Sequence, residues 1–148
     1  MGSILLVESD PETRDRLGLV MREAGHEVLV AITPREAFLR VSEGGIDAVV
    51  VDSYDPRVGV IDLAKNFDAL PDAPPVVLVS ASPHAPEISA RIGAAAFLPK
   101  PLDPGELVNA ISRLVGEVRP VRQIDASMED FAAGDEEPTG PVRISSLR

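Results

Sequence analysis

Four polar residues, Glu8, Asp52, Ser80 and Lys100, each stand at or just beyond the end of a short apolar run, at residues 4–7, 46–51, 76–79 and 95–98. Together they supply two carboxylates, a hydroxyl and an amine. Carboxylates brought together repel unless a cation sits among them, and hard oxygen ligands of this kind suit Mg²⁺. An amine beside them can neutralise the charge or hold an oxyanion as a point charge, and a hydroxyl can donate to the same oxyanion. Such a set suits phosphoryl transfer, in which positioning and charge neutralisation supply most of the catalysis.

The elements between these residues explain how they would meet. Residues 4–7, Ile-Leu-Leu-Val, form a continuous apolar run, the signature of a strand covered on both faces. Ser9 with Glu12 matches a capping box, and Asp10 before Pro11 is an alternative cap with proline at the first helical position. Leu17, Val20, Met21 and Ala24 then recur at helical spacing up to Gly25, which suits the left-handed position after a helix. The pattern repeats with a strand at 28–32, a helix opened by Thr33-Pro34-Arg35-Glu36 and stopped by Gly44-Gly45, and a strand running to Asp52. A helix at 61–67, a strand at 76–79, a helix at 86–92 and a strand at 95–98 follow. The last helix is opened by Asp103-Pro104-Gly105-Glu106 and carries Leu107, Ile111 and Leu114.

Five strands alternating with five helices predict a single doubly wound, flavodoxin-like α/β domain: a five-stranded parallel sheet with helices on both faces, (βα)5. Ligands of such sheets bind outside the carboxyl ends of the strands, where all four polar residues fall. The domain is expected over 1–116 and an acidic, mostly disordered tail over 117–148, with Ser127 to Ala133 as its one candidate helical stretch. His26 and His84 are assigned to the surface, since neither has a second metal-type ligand at useful spacing.

Bulk properties narrow the function. The formal net charge of -10 argues against nucleic acid or an anionic membrane as the main partner. No stretch approaches a membrane span and no signal peptide is visible, so the chain is expected to be soluble and cytoplasmic. With no cysteine there is neither a disulfide framework nor a thiolate metal site. There is no glycine-rich phosphate loop and no Cys/His nucleophile pair, which disfavours a cofactor-binding enzyme.

In order and spacing these pieces resemble the receiver domain of two-component response regulators, over residues 3 to about 116. Residues 4–11 resemble that family's first strand and acidic turn. Residues 47–52 with Pro56 resemble the phospho-acceptor strand and its loop. Residues 77–81 resemble the strand ending in the switch Ser/Thr, and Gly93-Ala94, Phe97 and Lys100-Pro101 resemble the fifth strand and its Lys-Pro.

The resemblance implies a role for each residue. Asp52 would accept a phosphoryl group from a histidine kinase or a phosphotransfer protein. Glu8, Asp52 and the backbone carbonyl of Tyr54 would hold Mg²⁺. Lys100 would pair with the phosphoryl oxygens, Ser80 would hydrogen-bond them, and Phe97 would reorient in concert. Lys100-Pro101 would be a cis peptide. The signal would leave through the 86–114 surface, from Pro86 to Leu114, which is also the expected homodimer face. The implied role is a phosphorelay switch acting on a downstream protein, a signalling module rather than an enzyme.

Three departures stand out. Ser9 occupies the position of the family's second acid, a direct metal ligand, and Asp10 is the candidate substitute. The usual glycine is absent at Val60. Tyr54 and Ser82 stand where the family tunes phosphoryl lifetime. The alternative they support is a pseudo-receiver, a protein-interaction module independent of phosphorylation.

Overall fold

The computed structural model describes residues 2–54 and 59–118. Its elements are β1 (Ser3–Val7), α1 (Pro11–Glu23), β2 (Glu27–Ala31), α2 (Pro34–Ser42), β3 (Ala48–Asp52), α3 (Val60–Asp68), β4 (Val76–Ser80), α4 (Ala85–Ile92), β5 (Ala96–Pro99) and α5 (Pro104–Val118). Every expected element is present, with ends shifted by one or two residues. The expectations for Pro56 and for a disordered tail with a helix near Ser127 to Ala133 lie outside the described residues.

The strands form one parallel sheet in the order β2-β1-β3-β4-β5. Side chains alternate across it, so consecutive strand residues feed two different cores. Ile4, Leu6, Val50, Val77 and Val79 pack with Leu17 and Met21 of α1 and Leu107, Ile111 and Val115 of α5. Leu5, Val7, Val49, Val51 and Leu78 pack on the other face with Ala37 and Val41 of α2, Leu63 and Phe67 of α3, and Ala85 of α4. Burying each of these aliphatic side chains stabilises the fold by about 1.5–3 kcal/mol before entropy is charged against it. The continuous apolar strands therefore reflect a sheet with no wet face.

Local chemistry sets the helix ends. Asp10, not Ser9, caps α1: its Oδ2 accepts the Thr13 backbone N–H at 2.9 Å. The Ser9–Glu12 capping box is thus replaced by the alternative cap, which leaves Pro11 at the first helical position, where its missing N–H costs nothing. At the other end Gly25 (φ 99°) receives the reversal, with Gly25 N–H on Arg22 O at 2.9 Å and His26 N–H on Met21 O at 3.2 Å, a Schellman closure. Thr33 caps α2 through Glu36 N–H at 3.1 Å.

One expectation changes. His26 is buried rather than on the surface: the closure of α1 turns it inward, where its Nδ1 accepts the Gly2 N–H at 3.1 Å and its Nε2 lies 3.4 Å from Ser112 Oγ on α5. Burial holds its pKa below the ordinary histidine value, with a smaller contribution from the N-terminal charge. His84 is exposed, as expected. Gly59, the residue before Val60, stands at the start of α3 in the left-handed region at φ 85°.

Candidate functional site

In a sheet of order 2-1-3-4-5 the chain leaves β1 and β3 in opposite directions, and a crevice opens between their carboxyl ends. Glu8 follows β1 and Asp52 ends β3, so both carboxylates stand at that crevice. Lys100 directly follows β5, and its peptide bond to Pro101 is cis, as expected. Its Nζ reaches Asp52 Oδ1 at 2.8 Å, with the Asp52 side chain 2% exposed and that of Lys100 34%. The end of β4 braces this arrangement: Ser53 N–H donates to Val79 O at 3.1 Å and Lys100 N–H to Ser80 O at 3.2 Å.

Asp52 Oδ2 is buried and has no hydrogen-bond partner among the described residues. A buried carboxylate oxygen in that condition costs free energy, so the crevice is built for an occupant that supplies positive charge or a donor. Glu8 indicates the same. Its Oε2 accepts the Asp10 N–H at 3.0 Å, which favours the anion. Burial nevertheless pushes its carboxyl above the usual range, and the negative charge of Asp52 adds to the rise.

The remaining expected residues divide. Ser80 is buried at the end of β4, and its Oγ accepts the Ser82 N–H at 3.1 Å, so the hydroxyl is tethered in a local turn beside the site. Tyr54 is 95% exposed at the rim. Phe97 is half-buried, paired in register with Leu78 and packed against the α2–α4 core. Asp10 is exposed and bonded to the start of α1. Hydrogen bonds from the Thr13 side chain and then its backbone hold the Asp10 carboxyl below the ordinary aspartate range, and the charges of Arg16 and Lys100 add to this.

Mg²⁺ can be held by one or two carboxylates together with waters and a substrate phosphate. Glu8 and the unpartnered Asp52 Oδ2 meet that minimum. Among the described residues no group of three or more His, Cys, Asp or Glu side chains gathers as a metal site, which follows from Ser9 standing in the third position and Asp10 serving as a cap. Two residues that sequence reasoning passed over also border the site: Thr13 and Arg16, one turn apart on α1, line a recess shared with Asp52 and Lys100. Their helical spacing beside the buried Leu17 was the available signal.

Comparisons with known proteins agree with this geometry. The family model of the response regulator receiver domain matches residues 4–112. The DNA-binding transcriptional regulator NtrC of Bradyrhizobium sp. is 30% identical over 132 residues, covering 87% of this chain but only 27% of that protein. This chain therefore spans about a quarter of that relative's length. Among solved structures, the signal receiver domain of a signal transduction histidine kinase from Syntrophus aciditrophicus is 26% identical with a TM-score of 0.72, covering 84% of this chain and 98% of that one. The receiver domain of sensor histidine kinase PA1611 from Pseudomonas aeruginosa, which has a magnesium ion coordinated in its active-site cleft, shares the fold at 22% identity and a TM-score of 0.71, covering 78% and 98%. With five parallel strands in this order, an acidic crevice between β1 and β3, and the family match over residues 4–112, the chain belongs to the response regulator receiver domain family.

Proposed function

We propose that the chain is a phosphorylation switch of a two-component phosphorelay, taking a phosphoryl group onto Asp52 from the phosphohistidine of a histidine kinase or phosphotransfer protein. The observation that carries this reading is the state of Asp52. One carboxylate oxygen is held by Lys100 at 2.8 Å, and the other is buried with no partner among the described residues. Attack on phosphorus needs an oriented carboxylate oxygen; Lys100 supplies the orientation at Oδ1, while Oδ2 stays free for a cation.

Lys100, with its amine 2.8 Å from Asp52 Oδ1, would pair with a phosphoryl oxygen formed there. Ser80 is held at the neighbouring strand end by Ser82 N–H. Its release toward a phosphoryl oxygen would couple the site to the β4–α4 loop and to the 86–114 surface, through which a downstream protein or a second copy would read the state. Glu8, Asp52 and the Tyr54 carbonyl would hold Mg²⁺, which neutralises charge on the transferring group. The chain then acts as a signalling protein rather than an enzyme with released product. No helix among the described residues is long and apolar enough to cross a membrane.

The test is intact mass after incubation with Mg²⁺ and a small phosphodonor. A labile adduct is expected in the wild type and absent from Asp52→Asn. An undiminished adduct in the variant would place the acceptor elsewhere. A specific observation favours the second reading, a pseudo-receiver: Ser9 stands where a third acid would complete the metal site. No adduct in the wild type even with a cognate kinase and high Mg²⁺ would establish it.

A further inference from the structure

The end of the sheet opposite Asp52 holds a buried titratable group that the phosphoryl chemistry does not use. His26 stands where α1 closes and β2 begins, and Gly2 stands just before β1. Ser112 lies on α5, which starts beyond the carboxyl end of β5 and runs back toward the amino ends of the strands. The His26 ring joins the three. Its Nδ1 accepts the Gly2 N–H at 3.1 Å, which leaves the proton of the neutral ring on Nε2, 3.4 Å from Ser112 Oγ. His26 is only 5% exposed, so its surroundings favour the uncharged ring. Gly2 O also accepts the Glu27 N–H at 2.9 Å, so the residue that His26 holds is the one that opens the β1–β2 ladder.

We propose that His26 is a proton-operated clasp between the start of β1 and α5: neutral, it ties Gly2 to Ser112, and protonated, it lets both go. Uptake of a proton puts an N–H on Nδ1 against the Gly2 N–H, a donor facing a donor, and puts a charge where water is largely excluded. The charged groups of the surrounding elements are the N-terminal ammonium, Arg22 on α1, Glu27 on β2, Asp47 before β3 and Arg113 on α5. Both carboxylates bond to Ser3, Glu27 Oε1 taking its hydroxyl and Asp47 Oδ2 its N–H, each at 2.8 Å. Arg22 reaches Val28 O at 3.5 Å. Burial disfavours the imidazolium most, and the ammonium, a like charge, adds to this. The folded chain therefore holds this proton less tightly than the unfolded chain. The clasp's stabilising share is complete above the ordinary histidine value of 6.5 and is lost as pH falls through the folded value. Because α5 belongs to the 86–114 surface, the clasp gives that surface a second input, mild acid, from the end of the molecule away from Asp52. It operates whether or not Asp52 takes a phosphoryl group.

The experiment follows the full chain by NMR from about pH 7.5 to about pH 5, reading the histidine ring signals and backbone amide exchange. It compares wild type, His26→Asn and His84→Asn. Asparagine at 26 keeps an oxygen that can accept the Gly2 N–H but does not titrate. The His26 ring is expected to titrate below 6.5. One proton shifts an opening equilibrium by up to about tenfold per pH unit, so protection of the amides around Ser112 and of Glu27 should fall about 3- to 10-fold over that titration. Protection of Val77 and Val79 in β4 should stay constant. The fall should vanish in His26→Asn and persist in His84→Asn. A His26 ring that titrates at or above 6.5, or an equal fall in His26→Asn, would overturn the clasp. So would a parallel fall in β4, which would mean loss of the whole fold instead of release at one end. If His26→Asn does not fold, wild type decides alone: a shared midpoint for the His26 ring and the α5 and Glu27 protection supports the clasp, and separate midpoints overturn it.

Discussion

Replacing Lys100 with methionine should destabilise the domain through one buried carboxylate, and a double-mutant cycle with Asp52→Asn isolates the effect. Charges 2.8 Å apart attract by about 6 kcal/mol at an effective dielectric of 20. The Lys100 side chain is 34% exposed, so solvent screens the pair and the figure falls to about 3 kcal/mol or less. Part of that offsets the desolvation of Asp52, whose side chain is 2% exposed, leaving an expected coupling of about 1–3 kcal/mol. Lys100→Met removes the ion-pair partner of a carboxylate whose other oxygen has none among the described residues, so it should carry nearly the whole loss. In the Asp52→Asn background the same substitution should cost about 0.5 kcal/mol or less, since no buried charge is stranded.

Urea unfolding followed by far-UV circular dichroism is the appropriate assay. The chain has no tryptophan, and its one tyrosine, Tyr54, is 95% exposed and reports poorly on the core. A loss of about 2 kcal/mol moves the midpoint by about 1–2 M at a slope of 1–2 kcal/mol/M. EDTA must be present, because a divalent cation would supply the missing charge. If Lys100→Met costs the same with and without the Asp52 carboxylate, the ion pair contributes nothing, and the account of how the chain tolerates a buried Asp52 is wrong.

Two further outcomes follow from the same physics. The Glu8 carboxyl is raised in the folded state, chiefly by burial and then by Asp52, so the native state holds its proton to higher pH than the unfolded chain does. Its stabilising share is complete below the unfolded value and is lost as pH rises through the folded one. In EDTA, Glu8→Gln should therefore melt higher than wild type at pH 7.5, and the gap should close toward pH 4; a constant gap across that window would contradict the assignment. Gly59→Ala places a Cβ at φ 85° and 3.1 Å from Pro34 Cγ, which should cost about 1–2 kcal/mol in chemical denaturation; an unchanged midpoint would mean the start of α3 is not held in that conformation.

Much of the fold was legible because it rests on local rules. Apolar runs such as residues 4–7 and 48–51, caps such as Thr33 and Asp103, and stops such as Gly25 and Gly44 act within a few residues of chain, so sequence reveals them. Crossover chemistry then forces a parallel sheet, and a parallel sheet places Glu8, Asp52, Ser80 and Lys100 at one end. The sequence alone determined that these four residues share an edge. Three-dimensional packing decided what each does there. Whether Ser9 or Asp10 capped α1 depended on how the chain turns out of β1, and the answer tied the Asp10 carboxylate to the Thr13 N–H. His26 reads as a turn residue until α5 closes over the first core and Gly2 and Ser112 meet its ring. Arg16 belongs to no motif and borders the site only because the segment after β5 folds near α1 and makes a recess that Asp52 also lines. Periodicity and capping are written in neighbours along the chain. The burial and charge that tune a site come from residues far apart in sequence, and only tertiary structure brings those together.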